Sequence, residues 1–148
     1  MQLLEPSVEY ETAYLDMLDD WHSTGEDVVP FPLKYDASDF DSMVQKCLSF
    51  KIERDPGFVQ HSTFWLFDKG QIVGVSNLRH YLNDHLLIDG GHIGFGIRPS
   101  CRRKGYGSKI LELTLLEAQK MGIEKALLTC DKVNVGSAST IIKNGGVL

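Results

Sequence analysis

The architecture of this chain can be inferred from one basic, glycine-containing stretch, Ile97-Arg98-Pro99-Ser100-Cys101-Arg102-Arg103-Lys104-Gly105-Tyr106-Gly107-Ser108. A strand-like run, residues 92–97, precedes it, and a helical pattern over residues 109–121 follows it. The first turn of a helix has backbone N–H groups without partners and carries partial positive charge. Glycines leave such N–H groups open to a ligand, and three cationic side chains precede them here. The stretch therefore predicts a phosphate or pyrophosphate site.

The spacing of these residues differs from that of two common phosphate-binding motifs. A P-loop requires two glycines five residues apart followed by Lys and Ser or Thr, and the sequence has no such pattern. The dinucleotide fingerprint requires a third glycine where this chain has Ile110. What remains is Arg-x-x-Gly-x-Gly over residues 102–107. A basic helix start with turn glycines and no ligand is the alternative interpretation of this motif alone.

Composition indicates one globular domain over residues 1–148, with 43% hydrophobic and 24% charged residues. The net charge of −5 argues against nucleic-acid binding, so the basic turn is a local feature. The sequence shows no bilayer-spanning apolar run and no secretory signal, which predicts no membrane partner. Three scattered cysteines favour reduced thiols in a cytoplasmic protein, without a disulfide framework or a metal site.

Hydrophobic periodicity predicts two amphipathic helices in the first third of the chain. The first covers residues 9–24 and is ended by Gly25, and the second covers residues 39–54 with Ser38 as its N-cap. Between them lies an apolar segment with two prolines, residues 28–33, which predicts a loop. Such a loop is expected to cover the core, a substrate or a partner.

Strand patterns predict the sheet. A short strand at residues 3–8 comes first, and residues 62–67 and 71–78 form a hairpin around Asp68-Lys69-Gly70. Residues 91–97 form the strand before the basic turn. An apolar run over residues 124–130 predicts a further strand buried on both faces, and residues 137–143 form the last helix. Because a helix joins these last two strands, they are expected to be parallel.

This order, β-α-α-β-β-β-α-β-α, resembles the GCN5-related N-acetyltransferase (GNAT) family, in a bacterial subgroup of predicted acetyltransferases. The resemblance rests on residues 102–107, on the run 91–99 and on a second signature, Asn134-Val135-Gly136-Ser137. It implies an α/β (α+β) acyl-CoA N-acyltransferase fold. Its sheet would be mixed and mostly antiparallel, with the fourth and fifth strands parallel and helices on both sides. The family's final β-hairpin is expected to be missing, because the chain ends at Leu148.

The resemblance also implies that acetyl-coenzyme A binds as co-substrate, without a metal. Its pyrophosphate would lie on the basic turn, and its pantetheine arm would contact Asn134. The cofactor-binding residues implied are Phe95, Ile97, Arg102, Arg103, Lys104, Gly105, Tyr106, Gly107, Ser108, Asn134 and Ser137. A backbone N–H of Gly96 or Ile97 would donate to the thioester oxygen as charge builds on it. Glycines at 94 and 96 would allow close approach of the ligand, or would mark a bend or bulge.

The sequence does not identify the groups that transfer protons in such a reaction. Many relatives use a Tyr in the last helix as general acid, and Ile141 stands at that position, so this acid is missing. His92 is a candidate base because a neutral imidazole accepts a proton near neutral pH. Further titratable candidates are Asp89, His80 and Asp131, and a relay through water is at least as good an explanation.

Two functional hypotheses follow. The first is an acyltransferase that moves an acetyl group from acetyl-coenzyme A to a primary amine of a small molecule or peptide by direct attack. The second is a coenzyme A-binding or acyl-coenzyme A-binding module with weak or no catalysis. A homodimer is also expected, because a doubly buried strand at residues 124–130 would have an exposed edge. No motif in the sequence identifies the acceptor amine.

Overall fold

The computed structural model describes residues 1–54 and 56–148. In chain order, the described strands and helices are β1 (Gln2–Leu4), α1 (Glu11–Ser23), α2 (Phe40–Ser49), β2 (His61–Asp68), β3 (Gln71–Arg79), α3 (Asp84–Ile88), β4 (Ile93–Ile97), α4 (Tyr106–Lys120) and α5 (Val135–Lys143). Short 3-10 turns lie at Val8–Tyr10, Phe31–Lys34 and Pro99–Cys101. No described helix combines the length and the apolar character that a membrane span requires.

The four strands form one antiparallel sheet in the order β1-β2-β3-β4. The predicted hairpin is confirmed: β2 and β3 pair around Lys69 and Gly70, whose φ angles are 50° and 79°. Strand β1 ends at Leu4, earlier than predicted, because Pro6 has no N–H to give to a neighbouring strand. The sheet is therefore built largely as the strand patterns indicate.

The expected fifth strand is the main correction. The described sheet has four antiparallel strands, so the predicted parallel pair is not formed. Residues 124–130 run beside the start of β4, where His92 N donates to Leu127 O at 2.7 Å. Leu127 N donates to the His92 imidazole at 2.9 Å and not to a strand carbonyl, and residues 124–130 do not join the sheet. Positive φ angles at Gly90 and Gly91 also end the extended backbone before β4. The segment is half-buried or exposed, not buried on both faces.

Helices cover both faces of the sheet and enclose the core. On one face, α1 and α2 contribute Tyr14, Met17, Trp21, Phe40 and Val44, which pack with Trp65 and Val75 of the sheet. On the other face, α4 contributes Ile110 and Leu111. Burial of this apolar surface is the main stabilising contribution to the fold.

Several helix boundaries differ from the sequence prediction, and at α4 and α2 the local cause is clear. Helix α4 begins at Tyr106, three residues earlier than predicted, because Gly105 adopts the left-handed conformation of its N-cap with φ 86°. The N-cap of α2 is Asp39 rather than Ser38, since the Asp39 carboxylate accepts from Ser42 N at 3.2 Å. The earlier start of α4 places both glycines of the basic turn at the helix N-terminus.

Candidate functional site

A cleft of about 600 Å³ opens where the end of β4 meets the first turns of α4 and α5. Three segments surround this opening. The β4 edge and the basic turn contribute Phe95, Gly96, Ile97, Cys101, Arg102, Arg103, Gly105, Gly107 and Ser108. The α5 side contributes Asn134, Gly136, Ser137, Ser139, Thr140 and Lys143, and the end of α1 with its following loop contributes Trp21, Glu26, Asp27 and Val29.

The N-terminus of α4 presents open backbone donors to this cleft. Its N-cap, Gly105, has no side chain to cap the helix, and the first helical bond runs from Lys109 N to Gly105 O at 3.2 Å. The N–H groups of residues 106–108 consequently have no partner within the helix. A Cβ atom on Gly107 would come no closer than 3.6 Å to another residue, at the Thr140 hydroxyl. The glycine therefore leaves room for an anion in front of the helix.

The structure brings most of the predicted cofactor-binding residues into this one cleft, including Asn134 and Ser137 from a distant part of the sequence. Two predicted residues do not line it. Lys104 is exposed to solvent, and the Tyr106 hydroxyl donates to the Asp68 carboxylate at 2.6 Å. Tyr106 consequently fastens the start of α4 to the β2–β3 turn, and the hydrogen bond from Tyr106 lowers the pKa of Asp68.

The pairing of β3 with β4 determines which backbone N–H groups face the free edge of the sheet. Arg98 N donates to Val73 O at 2.9 Å, and Arg79 N donates to His92 O at 2.7 Å. In an antiparallel pair, every second residue of a strand directs its N–H and C=O groups towards the partner strand, and the residues between them direct theirs away. Given the observed register, the N–H groups of Gly94 and Gly96 point towards β3. Those of Phe95 and Ile97 point away from β3, towards the free edge.

Parts of the protein itself lie against the two β4 glycines. A Cβ atom on Gly96 would overlap the Val29 carbonyl oxygen, and a Cβ atom on Gly94 would lie 3.1 Å from the Arg79 guanidinium. Gly96 is therefore required by the loop before α2 whether or not a ligand is bound, whereas a side chain at Gly94 would need only a small shift of the Arg79 guanidinium.

His92 does not line the cleft. Its Nδ1 accepts from Leu127 N at 2.9 Å, and its backbone N–H donates to Leu127 O. Burial lowers the pKa of His92, and the positive charge of Arg79 lowers it further. In this structure the side chain holds residues 124–130 beside β4.

The other base candidates from the sequence also lie outside the cleft, and His80 instead pairs with the Ser62 hydroxyl at 2.8 Å. The carboxylates that do line the cleft are Glu26 and Asp27, which sequence analysis missed. They follow the end of α1 in a loop without a motif, so only the path of that loop across β4 brings them to the site. Among the residues that the structure describes, no tyrosine lines the cleft.

Arg102 already has partners on the rim of the cleft. Its Nε donates to Ile97 O at 3.1 Å, and its guanidinium forms an ion pair with Glu26 at 2.8 Å. It also lies 5.8 Å from the centre of the Trp21 ring. Two other cations, Arg103 and Lys143, also line the cleft. In the described chain, neither of them has a carboxylate within ion-pair distance.

Two ion pairs from the buried Arg98 fix the basic turn to α1. Arg98, only 6% exposed, donates to Asp20 at 2.8 Å and to Asp16 at 3.0 Å. Asp20 also accepts from the backbone N–H and the hydroxyl of Ser100. Burial raises the pKa of the Asp20 carboxyl, but the hydrogen bonds from Ser100 and Arg98 outweigh this effect, so that the pKa lies below its ordinary value.

The ion pair with Asp20 predicts acid-dependent stability. Because the pKa of Asp20 is lowered on folding, its contribution is complete above the unfolded-state pKa and is lost as pH falls through the folded-state pKa. We expect Asp20→Asn to cost about 1 kcal/mol of unfolding free energy at neutral pH. The difference from the wild type should shrink below about pH 4. Urea unfolding over this range measures it, and a difference that stays constant down to about pH 3 would contradict the assignment.

In the described part of the chain, no group of three or more His, Cys, Asp or Glu side chains is placed to hold a metal ion. The described cysteines are free thiols, and Cys101 is buried beside the cleft. The donors available in the cleft are backbone N–H groups, amides, hydroxyls and cations. That set is suited to a phosphorylated, elongated ligand.

Comparison with known proteins agrees with this geometry. The family model for the acetyltransferase (GNAT) domain matches residues 3–147, and the chain therefore belongs to the GNAT acetyltransferase family. The search of curated protein sequences gives no significant match.

Three solved structures share the fold. A Vibrio cholerae protein proposed to be a ribosomal-protein-serine acetyltransferase matches with a TM-score of 0.64 at 17% identity, over 97% of this chain and 78% of that one. The microcin C7 self-immunity acetyltransferase MccE, in complex with acetyl-CoA and AMP, also has a TM-score of 0.64 at 17% identity, over 97% and 76%. The aminoglycoside 6'-N-acetyltransferase AAC(6')-IG from Acinetobacter haemolyticus, solved without ligand, has a TM-score of 0.54 at 14% identity, over 100% and 92%.

Proposed function

We propose that this chain is an N-acetyltransferase that moves the acetyl group of acetyl-coenzyme A to a primary amine of a small molecule or peptide by direct attack. One observation carries the proposal: a single cleft joins the open N-terminus of α4 to the free edge of β4. The first feature is suited to a pyrophosphate, and the second supplies backbone donors for a thioester oxygen.

The basic turn and α5 would hold the co-substrate. The N–H groups of residues 106–108 and the side chains of Arg103 and Lys143 would bind the pyrophosphate. Asn134 and Ser137, on the opposite side of the cleft, would contact the pantetheine arm. Acetyl-coenzyme A supplies an activated acetyl group. The acetyl-CoA bound to MccE supports this choice, as that protein shares the fold.

The acetyl carbonyl would be polarised by the β4 edge. Because the N–H groups of Phe95 and Ile97 point towards the free edge, we assign the donor to one of these two residues. The Gly96 N–H is directed at β3, so Gly96 is not the donor, and its missing side chain makes room for the Val29 carbonyl. A fixed backbone donor stabilises the negative charge that develops on the carbonyl oxygen when the amine attacks.

The acceptor amine would approach past Glu26 and Asp27. In the reaction the amine nitrogen forms a bond to the acetyl carbon, the carbon–sulfur bond breaks, and coenzyme A leaves as a thiolate. The proton that the nitrogen loses would pass to one of these carboxylates or to water, since the His92 Nδ1 is engaged by Leu127. A thiolate leaves without prior protonation, so a dedicated general acid at the position of Ile141 is not essential.

Turnover tests the proposal directly. Purified protein is incubated with acetyl-coenzyme A and a panel of primary amines, and both free thiol and acetylated product are measured. Release of thiol with a matching acetylated amine supports the transferase. Tight binding of acetyl-coenzyme A by calorimetry without any transfer would favour the non-catalytic binding module, and absence of binding would exclude both functions.

The contribution of Asn134 can be separated from its structural role. Its Oδ1 accepts from Ser137 N at 3.1 Å and caps α5, which leaves the amide nitrogen for the ligand. We expect Asn134→Ser to keep the cap and to weaken acetyl-coenzyme A binding about two- to tenfold, as expected for one hydrogen bond of about 0.5–1.5 kcal/mol. Asn134→Ala should show the same binding loss and also a lower melting temperature. Wild-type affinity in the serine variant would contradict the contact.

We also propose that the protein forms a homodimer. Apolar side chains before and within α5 are largely exposed, among them Val133 at 89%, Val135 at 70% and Ile142 at 68%. A two-fold interface would bury such a surface and close on itself. Light scattering at micromolar concentration should therefore give twice the chain mass of 16.6 kDa. A clean monomer would contradict this expectation.

A further inference from the structure

Arg79, the last residue of β3, is a buried cation with few partners. The residue is 7% exposed, and its Nη1 donates to Gly90 O at 3.0 Å. Its Nε has no hydrogen-bond partner, and no carboxylate of the described chain lies within ion-pair distance. Burial lowers the pKa of Arg79 to about 10, an effect that the more distant charge of Asp89 partly offsets. Buried charges in proteins are normally paired, so this one is suited to an external anion.

The Arg79 guanidinium lies next to β4, the strand whose end forms one wall of the cleft. Its nitrogens lie 3.1 and 3.3 Å from the point where a Cβ atom on Gly94 would stand, so it lies across β4. Gly94 is two residues from Gly96, which lines the cleft, a separation of roughly 7 Å along a strand. The Phe31 ring, 5.8 Å from the guanidinium carbon, forms an apolar wall on this side. An anion here would lie near the start of β4, beside Gly94 and Pro30.

We propose that Arg79 is a specificity-determining residue that selects acceptor amines carrying a carboxylate or a phosphate a few bonds from the nitrogen. The inference rests on the proposed acetyl transfer, whose acceptor class it narrows. A guanidinium is a planar fork of donors that matches both anions in bidentate fashion. The acceptor would thus be a small zwitterion, such as an amino acid or an aminoalkyl phosphate.

The charges on the cleft wall agree with such a zwitterion. Glu26 and Asp27 line the cleft next to Val29, and Pro30 follows in the same loop and packs near Gly94 beside Arg79. The loop therefore runs from an acidic end to a cationic end along β4. Because Glu26 is paired with Arg102, an ammonium group would be attracted mainly to Asp27 and an anion to Arg79, which would orient the amine towards the β4 edge.

Product analogues test the inference without requiring turnover. N-acetylglycine is compared with its uncharged amide, N-acetylglycinamide, for binding to the full chain in the presence of coenzyme A, by ligand-observed NMR titration. A second pair, N-acetyl-O-phosphoethanolamine and N-acetylethanolamine, distinguishes phosphate from carboxylate. We expect the anionic member of at least one pair to bind about tenfold more tightly or better. Equal affinities within both pairs would overturn the proposal.

Variants connect the preference to Arg79 itself. The ratio of affinities within a pair should fall to near one in Arg79→Gln and take an intermediate value in Arg79→Lys, which keeps the charge but loses the fork. Because the ratio is measured within one protein, a general loss of folded material does not change it. Arg54→Lys, at an exposed arginine, is the matched control and should keep the wild-type ratio. An unchanged ratio in Arg79→Gln would overturn the assignment. If that variant does not fold, an unchanged ratio in Arg79→Lys would overturn it.

The two proposals fail in different ways. If no amine is acetylated but the anionic analogues still bind through Arg79, the transferase is excluded and the anion site stands. If amines are acetylated with no preference between glycine and glycinamide or between O-phosphoethanolamine and ethanolamine, the transferase stands and the role of Arg79 is excluded.

Discussion

Gly107→Val is expected to weaken acetyl-coenzyme A binding by about 10- to 100-fold while leaving the fold intact. The cleft in front of the α4 N-terminus is open at this glycine, where a Cβ atom would meet only the Thr140 hydroxyl at 3.6 Å and Ile97 at 3.8 Å. A branched side chain would occupy the space assigned to a phosphate. Loss of one hydrogen bond to a charged group costs about 1.5–3 kcal/mol, which corresponds to this range of affinity.

Isothermal titration calorimetry measures the effect, and thermal unfolding checks that the variant is folded. Gln119→Val introduces the same side chain on the exposed surface of α4, away from the cleft, and should bind like the wild type. Gly107→Ala should give a smaller loss than valine, because only one carbon enters the cleft. Unchanged affinity in Gly107→Val would show that the pyrophosphate does not lie on this turn.

Gly96→Ala is expected to cost about 1–3 kcal/mol of unfolding free energy and to abolish most of the transfer activity. A Cβ atom here would overlap the Val29 carbonyl and lie 3.0 Å from the Trp21 ring, and both belong to the wall of the cleft. The backbone carbonyl cannot rotate away like a flexible side chain, so the loop that carries Glu26 and Asp27 must move. Both the stability and the placement of these carboxylates should suffer.

Chemical denaturation measures the loss of stability, and turnover of acetyl-coenzyme A measures the loss of activity. Gly107→Ala is the matched control for stability, because the same added methyl group meets nothing closer than 3.6 Å there. A Gly96→Ala protein as stable as this control would mean that the loop before α2 is not held against β4 as the structure shows.

Local patterns in the sequence were enough to predict the β2–β3 hairpin, the glycine turn at the start of α4 and four of the five described helices, all but α3. Such elements depend on residues close together in the chain: alternating or helical spacing of apolar side chains, a turn at Lys69 and Gly70, and glycines at 105 and 107. Most of the residues proposed to bind the cofactor could be named from the sequence for the same reason, because they lie at two helix starts with short, separate motifs.

Contacts between distant parts of the chain determined three features that the sequence did not predict: the missing fifth strand, the carboxylates of the cleft and the burial of Arg79. The segment at residues 124–130 is apolar enough for a strand, but the His92 imidazole takes the Leu127 N–H that a parallel partner would need. Glu26 and Asp27 have no motif and reach the cleft only because the loop after α1 crosses β4 at Gly96. Arg79 is an ordinary strand residue in the sequence, and only the packing of Gly94 and Phe31 around it makes it a buried cation. Hydrophobic periodicity records which side of an element is buried, but it carries no information on which distant group lies against it.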